Sequence, residues 1–202
     1  MLKDDAAGRR RLGFLGGTFD PVHTGHLLIA QDALEQLGLT SVTFIPAAHA
    51  PLRKEAPAVS AKDRVALLKV AIAQDARFAL DLSELEPGAS AFTVDTVKRL
   101  RAQHPEAELF WIMGADHLDK LPDWRALEEI LETVAFAVVA RPGQPFTVPS
   151  GMPTEKFHLV TGHPFEVSSS ELRERIAQGL PVRFFLPEAV AELIDENGFY
   201  CD

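Results

Sequence analysis

Residues 134–140 are apolar without a break, and residues 109–113 repeat the pattern with Leu109, Phe110, Trp111, Ile112 and Met113 ahead of Gly114. A strand sends alternate side chains to opposite faces, so a segment that is apolar at every position has no face to leave in water. Both segments therefore read as strands covered on two sides, a condition met by parallel sheets flanked by helices.

The remaining segments alternate in the way such a sheet requires. Residues 12–15 are a short apolar run ending at Gly16 and Gly17, and residues 25–37 place Leu27, Ala30, Leu34 and Leu37 at helical spacing with Gly38 as the stop. Residues 42–45 read as a second strand closed by Pro46. Ser60 and Asp63 resemble a capping box ahead of Val65, Leu68 and Ile72, residues 78–82 alternate loosely as a strand, and Thr93 is placed to cap a helix reaching about Gln103. A helix is expected over residues 124–131, an exposed loop around Pro142, Pro145, Pro149 and Pro153, and two closing helices over residues 169–178 and 187–196 with Gly179 and Gly198 as their stops.

Alternating strands and helices with right-handed crossovers make a doubly wound, Rossmann-like parallel sheet the simplest topology, an α/β fold with helices on both faces and C-terminal helices appended. The 202 residues, 47% of them apolar, fit one domain over residues 12–202. Residues 1–11, with Arg9, Arg10 and Arg11 together, read as a flexible solvated extension.

Composition narrows the function. A formal charge of −9 excludes a broad electrostatic grip on nucleic acid, so any phosphate site is local. The single cysteine, Cys201, excludes an intrachain disulfide and a cysteine-based zinc cluster. Charges at Lys3, Asp4 and Asp5 without a following apolar stretch give the expectation of a cytoplasmic protein with no membrane partner. The sequence sets no oligomeric state.

The chemistry concentrates in the turn from Gly16 to His26, where the first strand hands over to the first helix. Glycines let backbone amides approach an anion, and a helix start offers unpaired N–H groups at the positive end of its dipole. His23 and His26 lie three residues apart at that helix start, so both imidazoles can donate to the oxygens of one triphosphate. No Lys-Ser or Lys-Thr pair follows the glycines and the spacing is not G-x-G-x-x-G, which removes Walker-type kinases and dinucleotide hydride transfer. Without Glu or Cys at ligand spacing, a zinc site on His23 and His26 is also disfavoured.

Residues 16–26 resemble the H-x-G-H signature of the nucleotidylyltransferase superfamily, and Ser168, Ser169, Ser170 and Arg173 resemble its second signature, I-S-S-T-x-x-R, with Val167 and Ser170 replacing isoleucine and threonine. Serines at a helix start and an arginine one turn on make a second anion clamp. Residues 90–96, 110–116 and 121–124, with Pro46 to Arg53, residues 138–142, Phe185-Leu186-Pro187 and Gly198-Phe199-Tyr200, are similar in order to the bacterial nicotinate-nucleotide adenylyltransferases. The sequence departs from that family's pattern at Leu52, often histidine, at Phe92, commonly tyrosine, and at His117.

That resemblance implies transfer of an adenylyl group from ATP, with Mg²⁺, to nicotinate mononucleotide. By it, Gly16, Gly17, Thr18, Phe19, His23, His26, Gly114, Asp116, Ser168, Ser169, Ser170 and Arg173 bind ATP, with His23, His26 and Arg173 catalytic. Thr93, Trp124, Arg141 and Arg53, or Lys54 in its place, bind the nicotinate nucleotide, with Trp124 on the pyridine ring. Two other acceptors, nicotinamide mononucleotide and a phosphopantetheine, share the phosphate clamps, and a nucleotide-sensing regulator is the non-enzymatic alternative. An acceptor phosphate is already anionic, so the reaction needs alignment and charge stabilisation and no general base.

Overall fold

The computed structural model describes residues 9–48, 56–140 and 146–201. Its centre is a six-stranded, wholly parallel sheet in the order β3-β2-β1-β4-β5-β6. The strands are β1 (Arg11–Gly17), β2 (Ser41–Pro46), β3 (Phe78–Leu80), β4 (Glu108–Gly114), β5 (Ala135–Ala140) and β6 (Phe157–Thr161). Helices α1 (Thr24–Gln36), α2 (Ala61–Ile72), α3 (Thr93–Gln103), α4 (Leu127–Thr133), α5 (Ser169–Ala177) and α6 (Glu188–Asn197) follow in the order of the chain.

The doubly wound α/β arrangement expected from the apolar runs is present. Strand order reverses between β1 and β4, with Leu15 opposite Phe44 on one side and Ile112 on the other, and such a switch point opens a crevice at the strands' C-terminal ends.

The sheet feeds two cores, one on each face. Leu15, Phe44, Phe110 and Val139 pack with Ala30, Leu34, Leu67, Leu172 and Ile194 on one face. Phe14, Ile45, Trp111, Phe136 and Val138 pack with Val97, Leu100 and Ile130 on the other. The alternation of Phe110 and Trp111 between the two cores is what an uninterrupted apolar strand achieves. Each large side chain so buried contributes roughly 1.5–3 kcal/mol relative to exposure.

Several local expectations are corrected. β6 lies in a stretch with no assigned strand, because this edge strand is short and only Phe157 and Val160 point into the cores while Leu159 and Thr161 are exposed. Thr93 does not cap α3: it is the first helical residue after Phe92, while Ser90 Oγ bonds the Asp95 carboxylate at 2.6 Å and accepts from Phe92 N at 3.2 Å. The helix expected over residues 124–131 is shifted to Leu127–Thr133, because Ala126 at φ 52° precedes its first turn, and the polar loop expected ahead of it winds as a 3₁₀ helix over Ala115–Asp123. Arg11 is not tail: it opens β1, its Nε meets Glu108 at 2.8 Å and its guanidinium covers the Phe110 ring. Pro142 and Pro145 lie outside the described residues.

Other end signals hold. Ser60 Oγ accepts from Asp63 N at 3.2 Å and donates to the Asp63 carboxylate at 2.6 Å. Gly198 ends α6 at φ 62°, a left-handed position that a residue without a β-carbon adopts at little cost. No helix among the described residues is long and apolar enough to cross a membrane.

Candidate active site

The turn leaving β1 lies at the crevice. Packing behind it requires the glycines: a β-carbon on Gly16 would lie 2.8 Å from the Trp111 ring, and one on Gly17 would lie 3.0 Å from the Phe19 ring. Phe19 is buried at φ 50°, its ring edge-on to His26 at 5.0 Å and tilted against Phe44 at 5.8 Å. Phe19, expected among the ATP ligands, is thus the turn's apolar anchor. The Asp20–Pro21 peptide is cis.

His23 and His26 come together as expected, with ring centroids 3.8 Å apart and planes 32° from parallel. They are not equivalent. His26 is half-buried, and its Nδ1 accepts the His23 amide at 3.2 Å, so a neutral His26 carries its proton on Nε2 as a donor. His23 is only 6% exposed, and its Nδ1 is buried without a hydrogen-bond partner among the described residues. Gly25 allows this placement, since a β-carbon there would lie 3.0 Å from both the His23 ring and Phe165.

Burial lowers the His23 pKa from 6.5 to about 4, so the ring is neutral at pH 7. An unfolded chain takes up this proton near 6.5 while the folded one does not, so the unfolded state binds more protons in between and stability is lost as pH falls from about 6.5 towards about 4. The expected result is that the melting temperature of ligand-free protein falls over that window more steeply than that of His23→Gln. Parallel pH dependences in thermal melts would show that His23 is not held neutral.

The second motif docks onto the first. Ser168 Oγ caps α5 by accepting from Glu171 N at 3.1 Å, and Ser169 Oγ donates to Pro21 O at 2.9 Å. Arg173 donates from Nη1 to Asp20 O at 2.7 Å and from Nη2 to Ser170 Oγ at 3.3 Å. Expected as phosphate ligands, Ser169 and Arg173 here direct bonds to the turn itself. The Arg173 side chain remains 24% exposed.

Comparison with known proteins agrees with this pairing of turn and helix. The Cytidylyltransferase-like family profile matches residues 14–175, which include both motifs. A curated "Probable nicotinate-nucleotide adenylyltransferase" of Opitutus terrae is 40% identical over 190 residues, covering 94% of this chain and 97% of that protein. One of the same name from Shouchella clausii is 39% identical, covering 96% and 98%. The chain belongs to the nicotinate-nucleotide adenylyltransferase family. A solved structure of Plasmodium falciparum nicotinic acid mononucleotide adenylyltransferase complexed with NaAD shares the fold at a TM-score of 0.75, with 16% identity, over 95% of this chain and 98% of that one.

Of the other residues assigned by resemblance to the adenylyltransferase family, Gly114, Asp116, Thr93 and Trp124 are among the described residues. Gly114 ends β4 beside β5, and a β-carbon on it would lie 2.3 Å from Asp116 Oδ1, so the carboxylate rests over the glycine while staying largely exposed. Thr93 begins α3 next to an exposed Phe92, whose ring the Arg125 guanidinium covers at 4.8 Å. Trp124 packs edge-on to Phe136 at 6.2 Å and lines a groove of about 510 Å³ with Leu131 and Met152. Neither Thr93 nor Trp124 makes a hydrogen bond or ring contact with the histidine turn. Arg53, Lys54 and Arg141 lie outside the described residues.

Three residues at the turn had no assigned role: Asp20, Arg64 and Tyr200. Asp20 and Tyr200 stand inside quoted motifs, whereas Arg64 falls on a buried helix face where charge is rare without a partner.

Proposed function

We propose that the chain joins nicotinate mononucleotide to ATP, forming deamido-NAD and releasing pyrophosphate, with residues 12–202 acting as one domain. The observation that carries the reading is the pair of adjacent, tilted imidazoles, one held neutral by burial and one oriented by its Nδ1 contact, at a crevice where α5 docks Arg173.

An oxygen of the acceptor phosphate attacks the α-phosphorus, the new P–O bond forms, and the bond to the β-phosphate oxygen breaks. The acceptor oxygen is already anionic, so the site supplies alignment and stabilises the charge that spreads over the α-oxygens and pyrophosphate. His23, His26 and Arg173 are proposed for that task, with main-chain amides of residues 16–18 and the start of α5 proposed for the phosphates. Thr93, Trp124, Arg53 and Arg141 are proposed for the nicotinate nucleotide, and Gly114 and Asp116 for the adenosine half.

The donor set suits a triphosphate that brings its own cation: it consists of N–H groups and hydroxyls, and among the described residues no group of three or more His, Cys, Asp or Glu converges. Mg²⁺ bound to ATP would supply charge neutralisation for pyrophosphate departure. A cytoplasmic setting matches an exposed free thiol at Cys201 and a substrate such as ATP.

The test is pyrophosphate release from ATP and Mg²⁺ by purified protein with nicotinate mononucleotide, nicotinamide mononucleotide or phosphopantetheine. Far higher kcat/KM with nicotinate mononucleotide is expected. Preference for another acceptor would replace the substrate assignment, and no release with any of them would turn the reading to a nucleotide sensor.

A further inference from the structure

The histidine turn cannot hold its own shape. Phe19 occupies φ 50°, a left-handed conformation that is strained for a bulky residue and persists only if its surroundings fix it. The surroundings do so carbonyl by carbonyl. Thr18 O accepts from Arg64 Nη1 at 2.5 Å, Asp20 O from Arg173 Nη1 at 2.7 Å, and Pro21 O from Ser169 Oγ at 2.9 Å. The strained residue is tied on both sides, and its ring is the one that packs against His26.

Asp20 ties the same turn to two further segments. Only 4% exposed, it accepts the Tyr200 hydroxyl on Oδ1 at 3.0 Å and the Ala58 amide on Oδ2 at 2.7 Å, with Arg173 Nη1 3.8 Å from Oδ2. Burial and the neighbouring Asp20 charge push the Tyr200 phenol far above its ordinary value, so it stays protonated and donates. Arg64 is 1% exposed; burial lowers its pKa while Asp20 opposes that shift, and its Nε has no hydrogen-bond partner among the described residues. A carboxylate beside a triphosphate site would repel the ligand, and Arg64 and Arg173 together offset it, leaving positive charge beneath the turn.

We infer that Arg64 and Tyr200 are positioning residues for nucleotidyl transfer: from beneath, on α2 and after α6, they fix residues 18–21 and so set where His23 and His26 stand. Neither lies in the two signature motifs. The inference rests on the proposed reaction for its kinetic test but not for its binding test.

Tyr200→Phe removes one hydroxyl and keeps the buried ring. Its kcat/KM for ATP is expected to fall ~5–20-fold, the loss of one hydrogen bond to a charged acceptor, while KM for the acceptor nucleotide stays within about twofold of wild type. Arg64→Met should show the same split, and Arg64→Lys should recover only part of it, because an ammonium lacks the guanidinium's fork. Calorimetric binding of α,β-methylene-ATP to wild type and Tyr200→Phe provides the second arm, in which the variant binds at least about threefold more weakly. A lower melting temperature with unchanged kcat/KM for ATP and unchanged analogue affinity would mean a merely structural contact and overturn the inference. If wild type turns over none of the acceptors, the reaction is wrong, and the analogue affinities alone still decide whether Tyr200 positions the turn.

Discussion

His26→Ala should lower kcat by roughly 10²-fold or more while the protein stays folded, as expected for removal of one preorganised donor to a developing oxyanion. The geometry sharpens this expectation. His26 Nδ1 accepts the His23 amide, so the proton of the neutral ring is on Nε2, the donor that alanine removes. Alanine also removes the ring between His23 and Phe19, so a modest fall in melting temperature accompanies the loss of turnover. Steady-state pyrophosphate release, with circular dichroism to confirm folding, makes the measurement. Near-normal turnover in a folded variant would remove His26 from the chemistry.

Arg173→Ala should be at least as damaging, with kcat/KM for ATP reduced by ~10²–10³-fold, because the side chain has two tasks. Its Nη1 ties Asp20 O and so holds the turn; the side chain is still 24% exposed, and the proposed reaction uses its charge on phosphate. Arg173→Lys restores a charge without the planar fork, so it should recover less than tenfold of the loss. The same assay decides between the tasks. Full recovery in the lysine variant would show that charge alone matters and that the bond to Asp20 O is dispensable.

The strands that were plain in the sequence are those buried on both faces. Residues 109–113 and 134–140 announce β4 and β5 because burial on two sides demands apolar residues at every position. β6 gives no such signal: at the sheet edge, Leu159 is exposed and His158 and Thr161 are polar, so its identity comes from pairing with β5, opposite Val138 and Ala140. The start of α4 gave no clear signal either: a helix was expected from about Trp124, but Ala126 stands in the left-handed region at φ 52° and α4 begins at Leu127, a boundary that local backbone conformation decides.

The candidate site divides in a similar way. Gly16, Gly17, His23 and His26 were legible because anion binding at a helix start uses residues close together in the chain. Residues Ser169 and Arg173 were found as a motif, but their partners were not, since Arg173 reaches Asp20 across 153 positions and Ser169 reaches Pro21 across 148. Thr93 and Trp124 belong to the same family pattern, and Trp124 packs on Phe136 rather than on the histidine turn.

The sequence alone determined the alternation of buried strands and helices, the histidine turn as the candidate site and the family, because each depends on periodicity or on residue types at short spacing. The tertiary structure alone decided which side chains hold that turn: Tyr200 meets Asp20 across 180 positions, and Arg64 meets Thr18 across 46. No local rule links such residues. A buried carbonyl or carboxylate takes whichever donor the packed sheet brings within hydrogen-bond reach, and that is settled only when α2, α5 and the end of α6 close over the same face of β1.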